Sequence, residues 1–442
     1  EPAVSEEPYV APSADPNFME WWKESKFGMF IHLGSYSYYA KGEWAMSEES
    51  IRKADYQTNI SKNFNPTSFS AVEIVSAARN AGMKYLVFTS KHHEGFSMWD
   101  TGVESFKDYT GETMYSLQQY TDFGNTGRDI IQELKDQCDA QGIKFGLYYS
   151  IIDWNHSSQK IDGYFTKIKS WDAKTAYIND MKAQLNELVR NYNPSILWFD
   201  GDWTNTTEAT SLNWWWDKSD GQDLYDYCKS LNPNVIVNER VCRGFGLGDF
   251  ECPEDEIPEI DALPDGLWET CRTMNGAWGY SVSDSGKEKS YTKIKNLVRE
   301  YVNAVSRGGN YLLNIGPKGD GSVPEKQLEY LNEFGDWMKV YSDSIYGTTA
   351  NPFVEEPLWG TYTAKENKLF AHVFYWPSTS EGETLTVSIE EGKEVESVKD
   401  MSTGEEIEFE TAEDGSIVIS SLAEEAPNTY DSVLEINYKT AE

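Results

Sequence analysis

A short motif recurs along the chain, in which a helix-like segment ends at a glycine and runs directly into an apolar strand. Residues 76–89, SAARNAGMKYLVFT, and 137–149, QCDAQGIKFGLYY, show it most clearly. Gly82 and Gly142 occupy the position where a left-handed residue ends a helix, a conformation that glycine adopts without steric cost. Continuous apolar strands that alternate with helices are typical of a parallel sheet covered on both faces.

Further copies of the motif extend this pattern. They are NYNPSILWFD (191–200) and LNPNVIVNER (231–240), where Asn-Pro replaces the glycine, then VSRGGNYLLNIG (305–316), with FGMFIH (27–32) as the first strand. Six or so such units over roughly 330 residues favour a (β/α)8-like, TIM-type barrel over an open doubly wound sheet, and no G-x-G-x-x-G follows the first strand. We therefore expect an N-terminal linker at 1–16 and the catalytic barrel at 17–348.

The pattern changes after about residue 350, where short strands follow one another without helices between them. They are LFAHVFYW (369–376), TLTVSI (384–389), SIVISS (416–421) and SVLEINY (432–438). Alternating apolar and polar residues between Gly- and Glu-rich turns are typical of antiparallel sheets. The sequence thus predicts a C-terminal antiparallel β-sandwich at 349–442, with 325–345 as the last barrel helix.

Charge and composition limit the kinds of molecule that this chain can bind. The chain has 38 Lys and Arg against 73 Asp and Glu, a net charge of −35. This balance argues against nucleic acid and anionic membranes, because binding either depends on cationic side chains. No apolar run approaches the ~18 residues that a membrane span needs. The sequence carries no signal for an oligomeric state.

The chain begins without Met or an apolar signal segment, and residues 1–16 contain four prolines and four acidic residues. We expect a secreted protein, extracellular or in the cell envelope, whose signal segment is absent from this chain. Five cysteines without a C-x-x-C pair are too few for a disulfide framework. Cys242, Cys252 and Cys271 leave a metal site open, although burial is the commoner fate of cysteine.

Polar side chains follow the ends of the predicted strands, where barrel enzymes carry their chemistry. They are His32, His92, His93, Glu94, Tyr148, Tyr149, Asp200, Asn238, Glu239, Arg240 and Asn314. Four of the five histidines, namely His32, His92, His93 and His156, lie at or just past such ends. We expect this group to form a polar mouth that hydrogen-bonds a polyhydroxylated ligand.

Asp200 closes the apolar run ILWFD, where a carboxylate without a partner would carry a desolvation cost. It either caps a helix or turn in DGDW or acts in glycoside hydrolysis, which needs a second carboxyl group. The acidic segment 248–266 offers several candidates for that second group. As an alternative, His92, His93 and Asp200 could bind a metal, provided that the backbone leaves the strand at the two histidines.

Nine segments, in order along the barrel, together resemble the α-L-fucosidases of glycoside hydrolase family 29. They are FGMFIHLGSYS (27–37), GEWAM (42–46), FTSKHHEGFSMW (88–99), FGLYYS (145–150), LWFDG (197–201), VNER (237–240), GDFECPE (248–254), WETCRTMNGAWGY (268–280) and GGNYLLNIGPKGDG (308–321). This resemblance implies a barrel followed by a small β-sandwich, which agrees with the strand pattern. It also implies a retaining exo-α-L-fucosidase that removes terminal α-L-fucose from fucosylated glycans by double displacement, with no metal or organic cofactor.

The resemblance further implies roles for individual residues. Asp200 matches the nucleophile, and Glu254, which closes GDFECPE, matches the acid/base, with Glu251 and Glu256 as neighbouring alternatives. The positions that match those around the fucose are His32, Glu43, Trp44, His92, His93, Tyr149, Trp198 and Arg240, and Trp278 matches an aromatic that faces the C6 methyl group. Tyr148 is the alternative to Tyr149, because only one of two adjacent strand residues points inward.

Two other functions fit parts of the same pattern. A non-catalytic sugar-binding protein on an inactivated barrel would bind fucose without releasing it, and a metallohydrolase would lose activity with a chelator. The presence of two candidate carboxylates weakens the first, and the lack of H-x-H on the first strand weakens the second. Linkage preference depends on loops outside these motifs. The aromatic loop 203–220 predicts either a plug on the barrel mouth or a platform for the aglycone.

Overall fold

A computed structural model describes residues 9–439 of the chain. The strands are β1 (Phe27–Ile31), β2 (Tyr85–Lys91), β3 (Lys144–Ser150), β4 (Gln159–Asp162), β5 (Phe165–Ile168), β6 (Ile196–Asp200), β7 (Asn205–Thr206), β8 (Trp216–Asp217), β9 (Ile236–Val237), β10 (Glu269–Arg272), β11 (Asn310–Ile315), β12 (Gly360–Lys365), β13 (Lys368–Val373), β14 (Leu385–Val387), β15 (Val395–Asp400), β16 (Glu406–Ile407), β17 (Glu410–Thr411), β18 (Ile417–Ile419) and β19 (Ser432–Tyr438).

The α-helices alternate with the strands in the first three quarters of the chain. They are α1 (Glu20–Ser25), α2 (Tyr36–Tyr39), α3 (Ala45–Glu48), α4 (Lys53–Asn59), α5 (Ala71–Asn80), α6 (Leu117–Tyr120), α7 (Ile130–Gln141), α8 (Trp171–Tyr192), α9 (Lys218–Leu231), α10 (Ile294–Ser306) and α11 (Glu325–Tyr341). The last of them corresponds to the helix predicted at 325–345.

The recurring motif folds into the expected helix and strand. Asp129 caps α7 by accepting hydrogen bonds from the backbone N–H groups of Ile131 and Gln132, and Gly142 ends the helix with φ of 73°. Gly82, after α5, has φ of 92°. The strands that follow are buried except for the first residue of β3, as expected for a sheet covered on both faces.

Seven parallel strands form one curved sheet in the order β10-β11-β1-β2-β3-β6-β9. Between its two edges runs segment 250–254, which makes single parallel bridges instead of a regular strand. The bridges join Asn238 to Phe250, Glu251 to Trp268 and Glu254 to Cys271. This segment takes the place of an eighth strand and closes the sheet. The predicted TIM-type barrel is confirmed, with one irregular strand position.

The C-terminal part consists of a five-stranded antiparallel sheet, β12-β13-β19-β15-β16, and a three-stranded one, β14-β18-β17. Leu369, Leu385, Ile417 and Leu434 belong to its own apolar core, so the predicted sandwich is confirmed. The four strands expected from the sequence correspond to β13, β14, β18 and β19. The pattern did not reveal β12 or β15, because GTYTAK and VESVKD carry few apolar side chains.

Residues 9–15 run along the barrel. Residues 1–8 of the predicted linker lie outside the described residues, and residues 9–15 form neither helix nor strand. The Tyr9 hydroxyl donates a hydrogen bond to the Leu231 carbonyl at the end of α9. Within residues 9–439, none of the helices combines the length and the apolar character that a bilayer span requires.

Candidate active site

A pocket opens where the barrel strands end at their carboxyl termini. The space between its walls, which is open to solvent, is about 390 Å³. It is lined by Phe30, His32, Trp44, His92, His93, Tyr148, Trp198, Asp200, Trp203, Arg240, Glu254, Cys271 and Trp278. These include both catalytic carboxylates that the family resemblance implies and every residue that it places around the fucose, except Glu43 and Tyr149.

Asp200 is the last residue of β6 and is 8% exposed. Its Oδ1 accepts hydrogen bonds from Arg240 Nη1 at 3.0 Å and Arg243 Nη2 at 3.2 Å. Its Oδ2 accepts one from the Tyr148 hydroxyl at 3.1 Å and lies 3.7 Å from His93 Nε2. Burial raises the pKa of this carboxyl, but Arg240, His93 and Arg243 outweigh burial and lower the pKa below its ordinary value. Asp200 is therefore an ionised carboxylate in a fixed orientation.

Glu254 lies on the irregular segment 250–254, and its side chain is 42% exposed. Its Oε2 is 2.9 Å from Arg240 Nη2. Because Nη1 of the same guanidinium contacts Asp200, one arginine joins the two candidate catalytic carboxylates. Glu251 and Glu256 are exposed and do not line the pocket. Of the three glutamates considered from the sequence, Glu254 is the one that the fold brings to Asp200.

The VNER segment after β9 positions Arg240. The Asn238 side chain bonds both backbone groups of Phe199 in β6, and the Glu239 carboxylate accepts a hydrogen bond from the Cys252 N–H at 2.9 Å. Arg240 is 2% exposed, packs over the Trp198 ring at 4.7 Å and donates to the Cys252 carbonyl. Glu239 thus fixes the loop that carries Glu254.

Three histidines form one wall of the pocket. The His32 Nδ1 lies 2.7 Å from the Asn314 amide oxygen, and the His93 Nδ1 lies 2.6 Å from the Ser150 hydroxyl. Burial lowers the pKa of His32 to about 3, that of His93 to about 4 and that of His92 well below its ordinary value. Near pH 7 all three rings are neutral, so they act as hydrogen-bonding groups and not as cations.

The two adjacent histidines both reach the pocket because the backbone leaves the strand before them. Strand β2 shifts register between Thr89 and Lys91 and ends at Lys91, and the rings of His92 and His93 lie 4.0 Å apart. Across residues 9–439, no group of three or more His, Cys, Asp or Glu side chains is arranged to hold a metal ion. His92, His93 and Asp200, the alternative set of metal ligands, all line the pocket, but their side chains are not arranged to coordinate a metal ion.

Aromatic rings form an apolar wall next to His32. Phe30 lies 4.9 Å from Trp198 and 5.9 Å from Trp278, measured between ring centroids. The Trp198 indole N–H donates to Glu269 at 3.1 Å, which fixes its ring. Glu43 lies behind this wall, where its carboxylate accepts a hydrogen bond from the Gly279 N–H at 2.8 Å and burial raises its pKa to about 7.

Two members of the predicted polar mouth point elsewhere. The Tyr149 hydroxyl donates to Gln184 on α8 at 2.7 Å, because period-two alternation along β3 sends Tyr148 into the pocket and Tyr149 into the layer between barrel and helices. His156 packs against Phe106 and Tyr177, since the chain turns away from the mouth after β3. Both assignments to the mouth are wrong.

The sequence reasoning missed a second guanidinium on Asp200. Arg243 follows Arg240 by three residues, which is one turn of a 3₁₀ helix. The 3₁₀ helix Glu239–Val241 and its cap therefore place the two side chains on the same side. Asp202 is fully buried and accepts hydrogen bonds from the Arg243 backbone N–H at 2.6 Å and its Nε at 2.9 Å. The second Asp of DGD and the second Arg of NERVCR were the available signals.

All five cysteines, which lie within the described part of the chain, are buried and unpaired. Burial raises the pKa of the Cys252 and Cys271 thiols well above the ordinary value. Cys271 contributes a small apolar surface to the pocket lining.

The family model for Alpha-L-fucosidase matches residues 3–343 of the chain. The chain belongs to the α-L-fucosidases of glycoside hydrolase family 29. Human plasma alpha-L-fucosidase is 31% identical over 394 residues, which cover 82% of this chain and 77% of the relative. Mouse tissue alpha-L-fucosidase is 30% identical over 390 residues, covering 81% of this chain and 78% of the relative.

Solved structures agree with this membership. The fucosidase resembles alpha-L-fucosidase isoenzyme 1 from Paenibacillus thiaminolyticus with a TM-score of 0.79 and 32% identity, over 96% of this chain and 99% of the other. It also resembles a trapped covalent intermediate of a Bacteroides thetaiotaomicron fucosidase with 2-fluoro-fucosyl fluoride, with a TM-score of 0.80 and 26% identity over 98% of each chain. The chain is thus a glycoside hydrolase with retaining α-L-fucosidase activity.

Proposed function

We propose that Asp200 is the nucleophile and Glu254 the acid/base of this fucosidase, and that the pocket holds one terminal α-L-fucose. The observation that carries the proposal is the shared Arg240, whose two terminal nitrogens contact Asp200 Oδ1 and Glu254 Oε2. A retaining glycosidase requires two carboxyl groups beside the scissile bond. Within the pocket, Asp200 and Glu254 are the two carboxyl groups on the lining.

In the first step, an Asp200 carboxylate oxygen attacks the anomeric carbon and forms an ester bond to it. The bond from that carbon to the departing oxygen breaks, and protonated Glu254 donates its proton to this oxygen. Asp200 is suited to attack because Arg240 and Arg243 keep it ionised despite burial. Glu254 is suited to proton transfer because its half-exposed position lets it exchange protons with water.

The arginine between the carboxylates balances the charge of this step. In the form that reacts, the negative charge lies on Asp200, and Glu254 carries the proton that it donates. After attack, Asp200 is a neutral ester and Glu254 is a carboxylate, so the counterion contact of Arg240 passes from one to the other without a change in the net charge of the pocket. In the second step Glu254 removes a proton from water, the water attacks the anomeric carbon, and Asp200 regains its charge.

The remaining lining residues would recognise a neutral deoxy sugar. The neutral rings of His32, His92 and His93 offer donors and acceptors for hydroxyl groups, and Trp278 with Phe30 offers an apolar surface for the C6 methyl group. Trp44 completes the lining, next to His93 at 5.0 Å. We do not assign Tyr149 to the fucose, and Tyr148 takes its place. Glu43 would act through the Gly279 loop that supports Trp278.

We further propose that the natural substrates are fucosylated glycans met outside the cell. The plasma relative supports this setting. The neutral histidine and aromatic side chains of the pocket suit uncharged terminal sugars.

Proton NMR of the first-formed product from an α-fucoside tests the proposal. Two inversions at the anomeric carbon release α-L-fucose before mutarotation. Binding of fucose without any release would favour the alternative of a sugar-binding protein, and β-L-fucose as the first product would make Asp200 a general base.

A further inference from the structure

Exposed aromatic side chains cluster beside the fucose pocket on two neighbouring segments. Tyr164 lies at the turn between β4 and β5 and is 60% exposed, and Phe165 beside it is 39% exposed. Trp214, on the loop between β7 and β8, is 46% exposed. Contiguous apolar surface of this kind commonly marks a binding site. We call Tyr164, Phe165, Trp203 and Trp214 the aromatic rim.

The aromatic rim is continuous with the pocket. Trp44 and Trp203 line the pocket, and their ring centroids lie 5.7 Å apart. The ring centroid of Tyr164 lies 5.4 Å from that of Trp44. Phe165 and Trp214 form a further pair at 5.8 Å. The rings of Trp203, Trp44 and Tyr164 are therefore in contact with one another in sequence and lead outward from the fucose site.

Hydrogen bonds hold the rim in place. The Trp203 indole N–H donates to the Tyr164 carbonyl at 2.7 Å, and the Ser47 hydroxyl donates to the Gly163 carbonyl at 2.8 Å. The Ile168 N–H donates to the Leu212 carbonyl at 2.9 Å and ties the hairpin to the loop that carries Trp214. A platform with its position fixed in this way loses little conformational entropy when it binds a ligand.

The charge next to Tyr164 is balanced. Asp162 and Lys167 pair across the β4–β5 hairpin at 2.8 Å, so this segment offers aromatic faces with little net charge. Aromatic faces combined with balanced charge suit the apolar face of a neutral sugar ring better than an ionic group.

We propose that the aromatic rim binds the sugar unit that is linked to fucose through the departing oxygen, with Tyr164 as the stacking surface and the Phe165–Trp214 pair as the surface for the next unit. The occupant is a neutral hexose or N-acetylhexosamine of an oligosaccharide. This inference rests on the proposed function, since it places the leaving group of that reaction. For loop 203–220, this inference favours a platform for the aglycone over a plug on the barrel mouth.

The test compares Tyr164→Ala with wild type on two kinds of substrate. One is α-L-fucosyl fluoride, whose leaving group is too small to reach the rim, and the other is a panel of fucosyl disaccharides and trisaccharides with α-1,2, α-1,3, α-1,4 and α-1,6 linkages. We expect kcat/KM to fall about 10-fold for at least one oligosaccharide, the magnitude of one lost ring contact. The value for fucosyl fluoride and the inhibition constant of free fucose should change less than about two-fold, because Tyr164 does not line the pocket.

Two control variants separate stacking from damage to the fold. Tyr164→Phe keeps the ring and should retain the wild-type preference for oligosaccharides. Tyr375→Ala removes a tyrosine of similar exposure, 64%, from the C-terminal part and should change neither substrate. A parallel drop on both substrates with Tyr164→Ala would reject stacking, and so would unchanged kinetics on every oligosaccharide.

The outcomes distinguish the rim from the proposed function. A wild-type enzyme that releases no fucose from fucosyl fluoride would overturn the proposed function itself. A wild-type enzyme that is active, but whose oligosaccharide preference is insensitive to Tyr164→Ala, would overturn the rim alone. A shift in native mass of Tyr164→Ala without a change in preference would assign the rim to a protein contact and overturn the proposal.

Discussion

The two sides of the active site are built in different ways. Asp200 ends a regular parallel strand, is 8% exposed and makes four polar contacts, to Arg240, Arg243, Tyr148 and His93. Glu254 lies on a segment that makes only isolated bridges, is 42% exposed and contacts Arg240. A nucleophile must attack along one line, whereas an acid/base must exchange a proton with both the departing oxygen and water. The fold thus fixes the first group and leaves the second accessible.

The largest loss of activity should come from a substitution on the fixed side of the active site, at Asp200. Asp200→Ala removes the attacking oxygen but leaves the histidine and tryptophan contacts to the sugar, so kcat should fall by about 10⁴-fold or more while fucose binding persists. Stopped assays with an aryl fucoside measure the rate, and calorimetry measures binding. Residual activity above ~1% of wild type, in material free of contaminating enzyme, would show that another group attacks.

The accessible side should show a smaller loss that depends on the substrate. Glu254→Ala should slow the release of poor leaving groups by about 10²- to 10⁴-fold and that of acidic phenols far less, because an acidic phenol departs without a proton. Azide should restore the second step and yield α-L-fucosyl azide, because two inversions retain the configuration of the substrate. Glu251→Ala and Glu256→Ala are matched controls on the same loop and should behave as wild type. The azide signature in either control would move the acid/base role to that residue.

A third variant tests whether two arginines are needed on the fixed side. Arg243→Met removes one of the two cations on Asp200, and we expect kcat/KM to fall about 10-fold, the scale of one charge-assisted hydrogen bond. The pKa of Asp200 should rise from its lowered value, because a cation that favours the carboxylate is gone. The acid limb of the pH profile should therefore move to higher pH.

Arg243→Lys is the control for that shift. It keeps the positive charge near Asp200 and Asp202, so the acid limb should stay near its wild-type position even if the rate falls. A purely structural role for Arg243 would lower the yield of folded protein in both variants and move the acid limb in neither.

The same contrast explains what the sequence could predict. Asp200, His32 and the two histidines after β2 were predictable because strands that alternate with helices place their ends on one face of a barrel. Glu254 was not predictable by that reasoning, because segment 250–254 lacks a strand pattern and is crowded with acidic residues. Only the resemblance to a family selected it among its neighbours.

The errors have physical causes of the same kind. Choosing between Tyr148 and Tyr149 requires the inward phase of β3, and two adjacent tyrosines give no apolar alternation to set it. Asp202 and Arg243 were missed because their pairing joins the loop after β6 to the loop after β9, 41 residues apart in sequence. Contacts between loops depend on the closed barrel and leave no local periodicity.

The most direct test of this account is to identify the residue that carries the covalent fucosyl group. The wild-type enzyme is incubated with 2-fluoro-fucosyl fluoride, whose fluorine slows the second step, and the digested protein is analysed by tandem mass spectrometry. We predict a single fucosyl ester on the peptide that contains Asp200, and its loss when the labelling is repeated with Asp200→Ala. An ester on Glu254 or another carboxylate would contradict the division of roles between the fixed and the accessible side.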